Sequence, residues 1–197
     1  MPLILSLLAA APAMADCGAP ADPIHQIQGR GEAPPMTGRQ VTVEGILTLD
    51  ARGDGGFRGF YLQQPDAQTD SDARTSEALF VYTPRKTGQP GDRLRVTGTV
   101  KEFHGLTELV DISAIDVCGS STLPEAIPVT LPWSQPPESL ENMRVTFTQP
   151  LTVIEHYQLA VFGELALAPN DQIIPTEYLP PGRAAVAQNQ MARRRCR

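Results

Sequence analysis

The chain has 197 residues, of which 41 % are hydrophobic and 19 % charged, and this balance excludes an intrinsically disordered protein. The formal net charge is −6, and removing the four arginines among the last five residues leaves −10 for the rest of the chain. Because phosphate affinity comes mainly from clusters of Lys and Arg, the acidic body excludes a strong non-specific nucleic-acid binder, although a local patch can still override it. The 19 prolines and 16 glycines favour a turn-rich β protein.

The N-terminus has the pattern of a secretory signal peptide. Residues 3–11 are apolar, and Ala13-Met14-Ala15 supplies the small residues that precede a cleavage site. The apolar stretch is too short to span a membrane. We therefore expect residues 1–15 to be removed and the mature chain to be secreted or periplasmic, without a membrane attachment.

Five β-rich runs follow between residues 39 and 119, and each is bounded by Gly, Pro or Asp. They are predicted as strands at residues 41–50, 56–64, 77–83, 92–103 and 106–118. Five short strands in about eighty residues favour a small closed barrel, for which the oligonucleotide/oligosaccharide-binding (OB) type is the leading architecture. The predicted fold class is all-β, with this barrel and its leading segment occupying residues 16–119.

Three cysteines remain in the predicted mature chain, at positions 17, 118 and 196. In an oxidising compartment, a disulfide between Cys17 and Cys118 would tie the leading segment to the end of the fifth strand. The alternative is a pair of free thiols. The three histidines are far apart in sequence and none lies beside a cysteine pair, so no zinc-ligand spacing is present and no metal site is predicted.

The last third of the chain predicts a connector and a second β unit. Residues 120–141 are rich in proline, which favours an extended connector. Residues 142–197 contain two β-like runs, 143–159 and 162–168, too few for a second closed barrel. We expect a partial second β domain and a chain that stops inside it.

Candidate binding residues lie where OB barrels hold ligands. Such barrels bind single strands through aromatic side chains on the second and third strands and through flanking loops. Strand alternation places Tyr61 opposite Phe60, and Tyr82 opposite Val81, so about half of the aromatic residues are expected inside. We predict nucleic-acid contacts for Tyr61 and Tyr82. The turn between the fourth and fifth strands adds Lys101, Phe103 and His104, unless Phe103 packs on the barrel rim instead.

Two further groups invite a functional interpretation but favour a structural one. Asp66, Asp70 and Asp72 share one loop and offer oxygen ligands for Ca²⁺, yet their spacing does not match an EF-hand, and Asx turns in a solvated loop are favoured. His25 has no nucleophile nearby in sequence, so a structural hydrogen bond is expected for it.

The ordered run of motifs resembles a known family. The segments IHQIQGRG, VTVEGILT, GGFRGFYLQ, TSEALFVYT, GDRLRVTGTVKEFHGLTEL and MRVTFTQPLTVIEHYQLAVFGELALA occur in this order. Together they resemble the N-terminal, non-catalytic half of secreted bacterial nucleases of the ExeM/NucH type. The resemblance covers about residues 22–195. It implies an OB-type barrel placed before a catalytic domain of the endonuclease/exonuclease/phosphatase class.

The catalytic signatures of that family are missing from this sequence. The resemblance implies Mg²⁺ only for the catalytic domain, so no cofactor is assigned to these residues and enzyme activity is left uncertain. The expected function is an accessory region that binds or positions DNA or RNA beside a nuclease domain. A stand-alone secreted OB module for an oligosaccharide or small ligand, and a structural adaptor that contacts only its catalytic domain, are the alternatives.

Overall fold

A closed five-stranded barrel forms the centre of the protein. The computed structural model describes residues 16–162, 165–169 and 179–192. The barrel strands are β1 (Gln40–Ala51), β2 (Gly59–Gln63), β3 (Ala78–Tyr82), β4 (Asp92–Glu102) and β5 (Thr107–Ser120), and the order around the ring is β1-β2-β3-β5-β4, with β4 pairing back to β1. The predicted all-β class and the five predicted strands are confirmed. The second strand is shorter than expected because residues 56–58 belong to the loop between β1 and β2.

The interior of the barrel follows the alternation expected of half-buried strands. Phe60 and Leu62 on β2 and Leu79 and Val81 on β3 are fully buried, while Tyr82, predicted to lie opposite Val81, is exposed on the other face. Strands β1, β4 and β5 contribute their inward-facing apolar side chains to the same core: Val41, Val43, Leu47, Leu94, Val96, Val100, Leu109 and Ile112. One contiguous core therefore fills the ring.

The pairing of β3 with β5 is the shortest contact in the ring. These strands run parallel and are in register at two residue pairs, Phe80 with Glu108 and Val81 with Leu109. The antiparallel β4–β5 pair, by contrast, is in register at nine positions from Glu102–Thr107 to Asp92–Ser120. The ring is closed, but the number of paired residues differs widely from one strand pair to the next.

A short helix closes one end of the barrel. Helix α1 (Ile24–Gln28) begins after Pro23, whose fixed φ suits a helix start, and ends at Gly29 with φ 71°. Ile24 and Ile27 are both fully buried in the barrel core, and the Gln28 side-chain amide donates to the Ala78 carbonyl at 2.6 Å. The leading segment is thus part of the fold rather than a flexible extension.

A disulfide and a buried carboxylate hold the chain that precedes this helix. Cys17 and Cys118 are bonded, with their Cα atoms 5.5 Å apart, as predicted. The Glu44 carboxylate accepts hydrogen bonds from the Gly18 N–H, from Arg93 and from Arg95. Burial acts to raise the pKa of Glu44, but these three donors outweigh it and hold that pKa below its usual value. Cys17 and Gly18 are therefore fixed to β1 and β5, and the carboxylate that binds Gly18 is held by β4.

The second unit contains two small sheets and includes part of the proline-rich segment. β6 (Ile127–Val129) pairs in parallel with β7 (Val145–Phe147), and β8 (Thr152–Glu155) pairs with β9 (Ala166–Ala168). A 3₁₀ helix spans Pro137–Leu140, so residues 120–141 are more structured than an extended connector. Two α-helices complete the described chain: α2 (Leu159–Phe162) and α3 (Arg183–Ala192).

The predicted strand at 143–159 is divided in two. Pro150, which has no N–H for a ladder, separates β7 from β8, and the turn in which the Leu159 N–H donates to the His156 carbonyl ends the β region. The predicted signal peptide, the arginines at 193–195 and Cys196 lie outside the described residues.

The connector is attached to the barrel at the ends of β3 and β5. Ser76 Oγ donates to the Glu141 carbonyl at 2.5 Å, and the Glu141 carboxylate accepts from the Thr107 N–H at 2.7 Å. Asn142 Nδ2 donates to the Thr107 carbonyl. Burial, together with the nearby Glu138 and Glu102 carboxylates, raises the pKa of Glu141 to about 7 despite the hydrogen bond from Thr107. This attachment is therefore sensitive to pH.

We expect Glu141→Gln to remove much of the pH dependence of stability between pH 5 and pH 8. The folded-state pKa is raised, so the stability contributed by Glu141 is fully present below its unfolded pKa near 4.5 and is lost as pH rises through about 7. Glutamine keeps an acceptor for Thr107 and carries no charge. At pH 8 the variant should be more stable by roughly 1–2 kcal/mol, a value discounted for the partial exposure of the carboxylate.

Urea unfolding of both proteins at pH 5 and pH 8 measures this difference. Glu125→Gln, at an exposed position in the same segment, is the matched control. A stability difference that is the same at both pH values would contradict the assignment.

Candidate binding cleft

One open cleft crosses the outer face of β2, β3 and β5 and reaches the β4–β5 turn. Its volume is about 1000 Å³, at the upper end of the range of small-molecule sites. The strand register builds its centre: Tyr61 pairs with Phe80, Phe80 with Glu108, and Glu108 with Lys101. Four strands therefore place these four side chains in one row.

The floor of the cleft is aromatic. Phe80 is buried although it points away from the barrel core, and the Tyr61 ring lies 5.1 Å from it, centroid to centroid, tilted by 59°. Burial raises the pKa of Tyr61. The Phe80 ring occupies the space above Gly59, where a Cβ would come within 2.3 Å of Phe80 Cζ and 2.4 Å of the Val81 carbonyl oxygen. The absence of a side chain at Gly59 allows the Phe80 ring to occupy this position.

We expect Gly59→Ala to destabilise the barrel by about 3 kcal/mol, because the new methyl meets both a packed ring and fixed backbone. Gly53→Ala, where nothing lies within 4 Å of the added Cβ, is the matched control and should change stability much less. Chemical unfolding of both variants tests the comparison. Equal effects of the two substitutions would mean that the Phe80 floor is not constrained by Gly59.

Three exposed aromatic rings surround this floor. The side chains of Phe57, Tyr82 and Phe103 line the cleft and are 56 %, 40 % and 47 % exposed, respectively. They come from three places: Phe57 from the β1–β2 loop, Tyr82 from the end of β3, and Phe103 from the β4–β5 turn. Large exposed rings are ordinary when scattered, but three in one cleft make this surface a candidate binding site.

Cations accompany the rings. Arg58 Cζ lies 6.0 Å from the centroid of Tyr82, and Lys101 Nζ lies 4.5 Å from the centroid of Phe103. These distances are within the range of cation–π attraction. Arg85 also lines the cleft and donates from Nη1 to the Ser113 carbonyl at 3.2 Å.

A buried arginine fixes the loop that carries Arg85. Arg52 donates to the Arg85 and Thr87 carbonyls at 2.7 and 2.6 Å and to the Gly88 carbonyl at 2.9 Å, while the Asp50 carboxylate neutralises its charge. The guanidinium also lies 4.8 Å from the centroid of the Phe60 ring in the core. The chain between β3 and β4 is therefore held in one conformation against the barrel.

Two carboxylates lie among these groups. Glu108 is buried in the row and lies 3.5 Å from Lys101 Nζ, and Asp111 is exposed at the cleft margin. Burial raises the pKa of Glu108, although the Lys101 ammonium acts in the opposite direction. The cleft thus offers hydrogen-bond acceptors as well as aromatic faces and cations.

The β4–β5 turn is built to present Phe103. Phe103 and Leu106 exchange backbone hydrogen bonds across His104 and Gly105, both of which have positive φ, as a two-residue hairpin of type I′ requires. The His104 ring does not line the cleft; it contacts the Phe103 ring edge-on, with 4.4 Å between centroids. His104 therefore packs against Phe103 without being part of the cleft lining.

Four of the five predicted binding residues meet in this cleft: Tyr61, Tyr82, Lys101 and Phe103. Sequence reasoning did not select Arg58, Arg85 or Glu108. Arg58 adjoins Phe57 in the β1–β2 loop, a position that OB barrels use for ligands, so this signal was present in the sequence. Arg85 and Glu108 are brought to the site by the register of β3 with β5, which the sequence alone does not fix.

The acidic loop between β2 and β3 is largely engaged in internal contacts. Asp66 accepts the Glu125 N–H, and Asp72 bridges Arg30 and Arg74 at 2.6 and 2.8 Å, which holds the pKa of Asp72 well below its usual range, chiefly through Arg74. Side-chain to backbone bonds from residues 70 and 72 form the expected Asx turns.

His25 lies beside two carboxylates. Its Nδ1 is buried without a hydrogen-bond partner, and its nearest charged neighbours are Glu77 Oε2 at 3.6 Å and Asp70 Oδ2 at 3.8 Å. That nitrogen therefore forms no hydrogen bond within the protein.

Comparisons with known proteins do not assign the chain to a family. No protein-family model and no curated protein sequence matches it. Within the described residues, none of the helices combines the length and the apolar character needed to cross a bilayer. The Cys17–Cys118 disulfide is compatible with an oxidising extracellular compartment.

Proposed function

We propose that the barrel is of the OB type and that its cleft binds single-stranded nucleic acid, as the accessory region of a secreted nuclease. One observation carries the proposal: the exposed rings of Phe57, Tyr82 and Phe103 share one cleft with Lys101, and Arg58 lies beside the Tyr82 ring. OB barrels bind ligands on the face of the second and third strands and with the loops after the first and fourth strands. All four of these elements contribute to this cleft, and β5 and the loop after β3 complete it.

The physical basis of binding would be stacking more than phosphate neutralisation. An aromatic platform contributes about 1–3 kcal/mol per stacked base and accepts any base, because every base has a π-face. The negative net charge of the protein does not oppose base stacking. Three cations near the cleft, Arg58, Arg85 and Lys101, would neutralise about three phosphates, which predicts a salt slope near −2 for a single strand.

The role in a nuclease rests on the sequence resemblance and on the compartment. A secreted or periplasmic location is supported by the signal-like N-terminus and is compatible with the disulfide. In this interpretation the barrel positions DNA or RNA, and Mg²⁺-assisted phosphodiester hydrolysis is performed by a separate catalytic domain. We expect the purified chain to show no magnesium-dependent cleavage of the strand it binds.

A second candidate is an oligosaccharide-binding module. Glu108 and Asp111 support it, because carboxylates in an aromatic cleft accept hydrogen bonds from sugar hydroxyls as readily as from base amines. Neutral glycans release no counterions on binding, so their affinity would be nearly independent of salt.

Fluorescence anisotropy with labelled oligothymidylate and oligouridylate of about 12 nucleotides, and with a neutral oligosaccharide, separates these functions. Binding of the oligonucleotides with a salt slope near −2 is the expected result. Salt-independent binding of the glycan alone would replace the proposal with the oligosaccharide module. Failure to bind any of these probes would overturn both and favour a structural adaptor.

A further inference from the structure

We propose that His25, Asp70 and Glu77 form a binding site for a first-row divalent metal ion of the zinc class. The three residues come from two elements: His25 lies in helix α1, and Asp70 and Glu77 lie in the β2–β3 loop, with Glu77 directly before β3. One ligand atom from each residue lies within 4.8 Å of the other two. This cluster lies away from the residues that line the aromatic cleft.

Buried polar atoms without partners point to a bound ion. Glu77 is 5 % exposed, yet its Oε2 has no hydrogen-bond partner, and neither has the buried His25 Nδ1. Leaving such groups unsatisfied is costly, so each unsatisfied group in a folded protein calls for a ligand or another explanation. The two atoms face each other at 3.6 Å. Neighbouring ligands of a tetrahedral Zn²⁺ are separated by about 3.4 Å, given bond lengths near 2.1 Å.

The carboxylates are already oriented by contacts around them. Glu77 Oε1 accepts the Asp70 N–H at 2.7 Å, which leaves Oε2 directed at the histidine. The Asp70 carboxylate accepts the Asp72 N–H at 2.8 Å and the Thr75 hydroxyl at 3.3 Å. Such contacts fix ligand orientation before the metal arrives.

The histidine is positioned by the core. Ile24 and Ile27, on either side of it in helix α1, are fully buried in the barrel, so the helix cannot rotate without losing that packing. The site thus joins the helix that closes the barrel to the loop between β2 and β3.

The donor set selects the class of metal. Imidazole with two carboxylates suits Zn²⁺ and its first-row neighbours, whereas Ca²⁺ takes six to eight oxygen ligands. Asp72 does not complete an oxygen cage, because it is engaged by Arg30 and Arg74. Asp70 and Glu77 also border a cleft of about 490 Å³, which leaves room for water as a further ligand.

Metal content after zinc loading tests the proposal. The full chain with its disulfide intact is incubated with ZnCl₂, dialysed and analysed by atomic emission, and we expect about one zinc per chain. His25→Ala and Glu77→Gln should each lower zinc affinity at least tenfold, a loss at least as large as removing a supporting contact. His156→Ala, which changes an exposed histidine elsewhere, is the control and should retain zinc. Cys196 is unchanged in every variant, so zinc on that thiol cannot produce the difference.

The Asp70→Asn variant provides a test that does not depend on the folding of the buried variants, because the Asp70 side chain is 27 % exposed. Zinc at a hundredfold excess over Kd should raise the Tm of the unmodified chain by about 5 to 10 °C and leave that of Asp70→Asn nearly unchanged. Absence of zinc from the unmodified chain, or equal retention by all variants, would overturn the site. Both readouts are independent of nucleic-acid binding.

Discussion

Removal of the Cys17–Cys118 disulfide is expected to lower the free energy of unfolding by about 4 kcal/mol. The two cysteines are 101 residues apart, and the loop they close contains all five barrel strands. A cross-link that closes a loop of this size restricts the unfolded chain, and the entropic estimate for about 100 residues is about 4.7 kcal/mol. We take a lower figure because engineered and native bridges often contribute less than the estimate.

Urea unfolding of a Cys17→Ser, Cys118→Ser double variant measures this loss. Both cysteines are replaced so that neither pairs with Cys196, and Cys196→Ser alone is the control. The control should unfold at the same urea concentration as the unmodified chain. A loss below about 1 kcal/mol in the double variant would show that Glu44, Arg93 and Arg95 hold the leading segment without help from the disulfide.

Replacing both Tyr82 and Phe103 by alanine is expected to weaken binding of oligothymidylate by about a hundredfold. Both rings are exposed to about two fifths or more and line the same cleft, outside the barrel core, so two stacking surfaces disappear while the core packing is retained. At about 1–3 kcal/mol per stacked base, two rings account for about 3 kcal/mol or more. The salt slope should stay the same, because Arg58 and Lys101 are retained.

Anisotropy titrations of the same oligonucleotide against each protein measure the change. Tyr157→Ala is the matched control, since Tyr157 is 84 % exposed and lies outside the cleft. Thermal unfolding of the double variant must match that of the unmodified chain for the comparison to report on binding. Unchanged affinity would place the ligand site elsewhere on the barrel.

The barrel was predictable from the sequence because its signals are local. Each strand carries its own apolar alternation and ends at a turn-forming residue, and this alternation put Tyr61 on the face opposite Phe60 and Tyr82 on the face opposite Val81. For the same reason the aromatic half of the cleft was predicted.

Features that depend on distant contacts were not predictable in this way. Helix α1 has five residues, and its two buried isoleucines acquire their role only when the barrel closes around them. β6 consists of three residues, one of them proline, and is a strand because β7 pairs with it. His25 and Glu77 are 52 positions apart, and no spacing pattern connects them.

The short parallel contact between β3 and β5 has a consequence for the dynamics of the barrel. With two register pairs, this seam is where the ring will open most easily, and amide hydrogen exchange should be fastest there among the barrel strands. The cleft lies across this seam, with Phe80 and Tyr82 on one side and Glu108 and Val110 on the other. A ligand that contacts both sides binds the closed ring and not the open one, so it would stabilise the closed ring. Occupancy of the cleft would then slow exchange at β3 and β5 while leaving the long β4–β5 ladder unchanged.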